Sequence, residues 1–73
     1  MPQVNTPAQL VALLEERREH LGISQRDLGR RAGLSHGAYW FSSNRSGDMS
    51  LRAALAYCDV LGLTVQVKKG SGR

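Results

Sequence analysis

The sequence predicts a small all-α domain of four helices followed by one short strand. Three features carry that expectation. Apolar residues recur at helical spacing in four separate segments. Each segment opens on a side chain suited to accept a backbone N–H, at Thr6, Ser24, Ser35 and Ser50. The period then changes from helical to twofold, with Leu63, Val65 and Val67 alternating against Thr64, Gln66 and Lys68. Seventy-three residues make one domain with little apolar surface to bury, so added stability from a second copy is expected. The division that follows is a mobile polar arm over residues 1–5, the helical domain over 6–62, the strand over 63–68 and a flexible basic tail over 69–73.

Thr6-Pro7-Ala8-Gln9 is a complete helix start, with threonine at the cap, proline at the first helical position and glutamine three on to close a capping box. The first helix runs to about His20. Leu10, Leu13, Leu14 and Leu21 form its apolar stripe, and Glu15, Glu16 and Glu19 are expected to face water. The second helix covers Gln25 to Ala32, with Leu28 and Ala32 four apart on one face. Gly33 ends it by taking the left-handed conformation, Leu34 turns inward, and Ser35 caps a third helix from His36 to Asn44. Asn44 to Met49, with Ser46-Gly47-Asp48 inside, is a loop by composition. Ser50 caps the fourth helix, whose apolar face is Leu51, Ala54, Leu55, Cys58 and Leu61, and Gly62 ends it. The strand needs a partner for its backbone groups, and the chain offers no second one; the same strand of another copy is the economical solution.

The formal charge of +4 and pI near 10.0 favour an anionic partner. The excess falls on Arg26, Arg30, Arg31 and Arg45 against Asp27 and Asp48, and on the tail. Such a balance does not decide function, because many small domains carry it for solubility. A single cysteine, Cys58, excludes an internal disulfide and reads as a small buried hydrophobe. With only His20 and His36 beside it, no zinc-ligand cluster is expected, and a reduced cytoplasmic setting fits. No apolar run approaches the length of a membrane span, and the start does not read as a leader. No acid pair, nucleophile with base or phosphate-cradling loop is visible, so neither catalytic residues nor a cofactor nor a small-molecule substrate is expected.

Residues 24–45 therefore read as two short helices about a tight turn, and there the chain resembles the helix-turn-helix domains of phage repressors and the Cro/Xre regulators. The resemblance is carried by Ile23-Ser24-Gln25, Leu28-Gly29, Ala32-Gly33-Leu34-Ser35, Ser50-Leu51 and Leu61-Gly62-Leu63, and covers residues 7–68. Pro7-Ala8-Gln9-Leu10 ahead of it and the strand behind look most like the HipB-like antitoxins. The resemblance implies a lambda-repressor-like four-helix fold that binds double-stranded DNA as a homodimer, with Leu63, Val65 and Val67 joining strands across the dimer. It places base reading on His36, Gly37, Trp40 and Phe41, with His36 the one strong hydrogen-bonding reader. Gln25 matches the family's phosphate contact, and Arg26, Ser35, Ser43, Asn44 and Arg45 are further candidates. Arg30 and Arg31 fit a solvated face.

Several positions depart from the family's pattern. Arg17 stands where an aliphatic residue is usual, so its stem is expected to pack while its head reaches water. Gly29 sits where the second helix is expected to cross closely, with the large Tyr39 needing the room. The buried positions of the third helix fall on Tyr39 and Ser42, and Trp40 and Phe41 fit either the core or the DNA face. A slight rotation would bury Phe41 and leave Trp40 near the surface, against thymine methyls. The arginine corresponding to Arg18 commonly pairs with a glutamate at the end of the third helix, where this chain has Ser43. The leading expectation is a dimeric, sequence-specific repressor on a palindromic operator. Its antitoxin form adds a kinase-like toxin as partner. The alternative is a protein-interaction adaptor that keeps the helical fold without reading DNA.

Overall fold

The computed structural model describes residues 3–35, 37–45 and 49–67, and of residues 41, 42, 44 and 45 the backbone alone. Four helices follow in order, α1 (Pro7–Leu21), α2 (Gln25–Arg31), α3 (Ala38–Arg45) and α4 (Leu51–Val60). No strand occurs among the described residues, and the all-α class read from the sequence holds. Among those residues no helix is long and apolar enough to cross a membrane.

Three of the helices start where the sequence places their caps. Thr6 Oγ1 accepts from the Gln9 N–H at 3.2 Å, Ser24 Oγ from Asp27 at 3.0 Å and Ser50 Oγ from Ala53 at 3.1 Å. Each satisfies one of the N–H groups a helix start leaves without an intrahelical acceptor, worth about 1 kcal/mol apiece. Gln9 does reach back, but to the N–H of Asn5 at 2.5 Å, one residue before the cap. That bond ties Asn5 of the polar arm to α1.

α3 starts differently. Gly37 has φ +80°, which no helix accommodates, so the helix can begin only after it. Ala38 donates instead to the backbone carbonyl of Ser35 at 3.0 Å. The expected start at His36 is therefore moved to Ala38, and His36 itself lies outside the described residues. The end of α2 follows expectation. Gly33 is left-handed at φ +75°, and the Leu34 N–H returns to the Gly29 carbonyl at 3.0 Å. Leu34 is thereby turned against the core.

Leu14, Leu28, Tyr39 and Leu61 are fully buried, joined by Ile23, Ala54, Tyr57 and Cys58. α2 packs on both α3 and α4, which makes it the centre of the domain. The rings of Tyr39 and Tyr57 meet edge to face, with centroids 4.8 Å apart and planes at 82°. This geometry adds about 1 kcal/mol beyond the area buried. On α4 the expected face holds at Ala54, Cys58 and Leu61, all buried, but Leu51 and Leu55 stay 73% and 44% exposed. Tyr57, which the expected face left out, is buried beside them and packs on Tyr39. Leu21, expected in the stripe of α1, is also exposed, while Leu14 is fully buried. Cys58 packs as expected, and burial pushes its thiol pKa up.

Arg17 is half-buried, and its head is tied to the protein. Its Nε donates to the Leu61 carbonyl at 3.0 Å, at the C-terminus of α4. A cation there meets a carbonyl that the helix leaves unpaired, a favourable placement for positive charge. Beyond α4 the Leu63 N–H donates to the Cys58 carbonyl at 2.8 Å. Residues 63–67 belong to no regular element in the single chain. Leu63 is half-buried, Val65 is exposed and Val67 is 95% exposed. Ser46 to Asp48 of the expected loop, Lys68 of the expected strand and the tail from Lys69 to Arg73 lie outside the described residues.

Candidate nucleic-acid interface

The α2–α3 pair is held by Leu28, Gly29 and Tyr39, all buried. A methyl group on Gly29 would meet the Ser35 carbonyl oxygen at 3.8 Å and the Tyr39 nitrogen at 4.0 Å, both ordinary van der Waals distances. The close crossing expected at Gly29 is present, while the expected need of Tyr39 for room there is corrected. The backbones approach closely enough to favour a small residue but leave room for a Cβ. Tyr39 needs no space at Gly29, because its ring lies against Tyr57.

On α3, Tyr39 is fully buried and its neighbour Trp40 is 52% exposed. Successive helical residues point about 100° apart, so burying one puts the next at the surface. Ser43, one turn on, is half-buried and donates to the Trp40 carbonyl at 3.3 Å. Gly37 precedes the helix and is half-buried, and Ser35 is exposed. The side chains of Phe41, Ser42, Asn44 and Arg45 lie outside the described residues, as does His36. Of the expected interface, Gln25, Arg26, Ser35, Gly37, Trp40 and Ser43 can thus be located on or beside α2 and α3.

Charge on α2 is partly cancelled. Asp27 pairs with Arg30 and, at 2.9 Å, with Arg31. The Arg30 hydrogen bond, with Arg31 assisting, holds the Asp27 carboxyl below its usual range. Both guanidiniums are largely exposed, which fits the solvated face expected of them and makes the pairs worth little to stability. Arg26, exposed near the start of the same helix, is the remaining α2 arginine.

The polar centre of the region is Glu15, which the sequence suggested would face water. It does not. Its Oε2 accepts from Arg18 Nε at 2.6 Å and from the Tyr39 hydroxyl at 2.8 Å. Its Oε1 accepts from Gln25 Nε2 at 2.9 Å and from Arg18 Nη2 at 3.2 Å. Four donors fill the four acceptor sites of one carboxylate. They come from α1, the start of α2 and the buried face of α3, so a single side chain ties three helices. The Arg18 hydrogen bond, and then those of Tyr39 and Gln25, outweigh burial and hold the Glu15 carboxyl below its usual pKa. The Tyr39 hydroxyl is pushed well up, first by burial and then by donating to Glu15.

Arg18 thereby has its carboxylate. The acid expected at the end of α3, where Ser43 stands, is supplied from α1 itself, three residues upstream. The remaining arm of Arg18, Nη1, donates to the Ile23 carbonyl at 2.7 Å and anchors the turn into α2. No protein-family model matches the chain, and no curated protein matches it.

Proposed function

We propose that this chain is a dimeric, sequence-specific DNA-binding transcriptional regulator of the helix-turn-helix kind, with α3 as its recognition helix. The observation that carries the reading is the division of α3 into a buried Tyr39 and a surface Trp40, beside an α2 that begins with Gln25 and Arg26. A helix fixed on one side and presented on the other can enter the major groove of B-DNA, and polar groups at the start of the preceding helix can grip the backbone. The net charge of +4 supports an anionic partner. Trp40 would meet thymine methyls or sugars apolarly. His36 and Phe41 as base readers, and Asn44 and Arg45 as phosphate contacts, rest on the sequence.

The homodimer is part of the proposal. The single chain leaves Leu51, Leu55, Val65 and Val67 exposed, and a second copy pairing along residues 63–67 would cover apolar surface and satisfy backbone groups together. Two recognition helices would then sit about one DNA turn, roughly 34 Å, apart.

The test is selection of bound duplexes from a random DNA pool, followed by salt titration of the enriched sites. Enrichment of a palindrome with half-sites about 10 base pairs apart is the expected result. Failure to enrich any sequence, with only weak and steeply salt-dependent binding, refutes sequence-specific readout and favours the adaptor reading.

A further inference from the structure

Gln25 is held before any phosphate arrives. A carboxylate only accepts hydrogen bonds, so the 2.9 Å contact fixes which end of the Gln25 amide faces Glu15: it is Nε2. That nitrogen carries a second hydrogen, directed away from Glu15, and the amide has lost the freedom to rotate its carbonyl into the same place. A bare carboxylate at this point would repel a phosphate. Here Arg18 pairs with it through both Nε and Nη2, so the cluster presents no net negative charge.

The same carboxylate holds α3 through the Tyr39 hydroxyl, 24 residues along the chain. Tyr39 adjoins the exposed Trp40, so the orientation of Gln25 and that of the outward face of α3 are referred to one group.

We infer that Glu15 is a positioning residue for nucleic-acid phosphate, orienting the Gln25 amide so that one N–H of Nε2 points outward to a DNA phosphate oxygen. The inference rests on the DNA-binding reading above. It assigns Glu15 no contact with DNA. Orienting the amide in advance removes the cost of ordering a long, flexible side chain at the moment of binding. Because the contact is to phosphate, the effect is independent of base sequence and can be read without knowing an operator.

The experiment measures binding of a fluorescently labelled random-sequence DNA duplex to the full chain, with Glu15→Gln and Gln25→Ala singly and combined. Glutamine at position 15 keeps the size but loses the charge and the ability to accept from all four donors. The expected result is an affinity loss of about three- to tenfold for Glu15→Gln in the native background, the cost of ordering one freed side chain. In the Gln25→Ala background the same change should cost less than about twofold, because the group it positions is gone. Equal losses in both backgrounds, or none in the native one, overturn the inference and leave DNA binding standing. A native chain that does not bind the duplex at all overturns both. Should Glu15→Gln melt below the assay temperature, the native chain supplies the readout through the nitrogen-15 resonances of the Gln25 side-chain amide. These should shift on adding duplex. An amide that does not move while the backbone of α3 does would refute the positioning role.

Discussion

Replacing Gly29 by alanine should stabilise this protein. Gly29 lies inside α2, where glycine costs about 1 kcal/mol relative to alanine because the unfolded chain loses more freedom on folding. The usual objection is steric, since the residue is buried where α2 meets α3. The geometry removes it, because the nearest atoms to an added Cβ are the Ser35 oxygen at 3.8 Å and the Tyr39 nitrogen at 4.0 Å. Nothing must shift, and the methyl adds up to about 0.8 kcal/mol by filling space in a buried site. The expected gain is therefore roughly 1 to 1.8 kcal/mol, or a rise in Tm of about 5–10 °C for a domain of this size. Thermal melting followed by far-UV circular dichroism measures it directly. Because the α2–α3 crossing is unchanged, affinity for a random-sequence duplex should stay within about twofold. A lower Tm would mean that the two helices approach more tightly than these distances indicate, and the argument from the Cβ position would be wrong.

Acid should unfold the protein through Glu15. Its folded-state pKa lies below the unfolded value near 4.5, so the stability it contributes is complete above about pH 4.5 and is lost as pH falls through the lower folded value. Urea midpoints taken from neutral pH into that range should fall in the native chain and fall less in Glu15→Gln; parallel curves would remove Glu15 from the acid response. Gly37→Ala should lower stability by about 1–2 kcal/mol, since φ +80° strains any residue with a Cβ although the space around it is open. Chemical denaturation checks this, and an unchanged midpoint would show that the turn into α3 relaxes without cost. Placing lysine at both Val65 and Val67 should turn a dimer into a monomer by sedimentation equilibrium without lowering the melting temperature of the monomer, because both side chains are exposed in the single chain. Retained dimerisation would move the interface elsewhere, Leu51 and Leu55 being the next apolar surface.

How much of this was legible depended on how far along the chain the deciding contact lies. The caps at Thr6, Ser24 and Ser50 are bonds across three residues, and the left-handed end of α2 at Gly33 is equally local, so composition and spacing were enough. The start of α3 was misplaced because Gly37 reads as a helix-tolerated small residue until its φ is known. On α4, periodicity found Ala54, Cys58 and Leu61 but could not choose between Tyr57 and the pair Leu51 and Leu55, because the partner of Tyr57 is Tyr39, on another helix. Trp40 lay between two readings for the same reason, and burial of Tyr39 resolved it.

Glu15 is the instructive miss. Two of its partners are 10 and 24 residues away, which no helical wheel displays. Yet one signal was available, since the resemblance implies that Arg18 pairs with an acid. The structure gives the physical reason: the Arg18 side chain is only 15% exposed, and an uncompensated charge in such a place costs several kcal/mol. With Ser43 standing where that acid was expected, some other acid had to approach Arg18. Glu15 lies three residues before it on the same helix, within side-chain reach, and is the one of α1's three glutamates so placed. The unmet pairing of Arg18 therefore pointed to the group that ties the helices together, where hydropathy had assigned it to solvent.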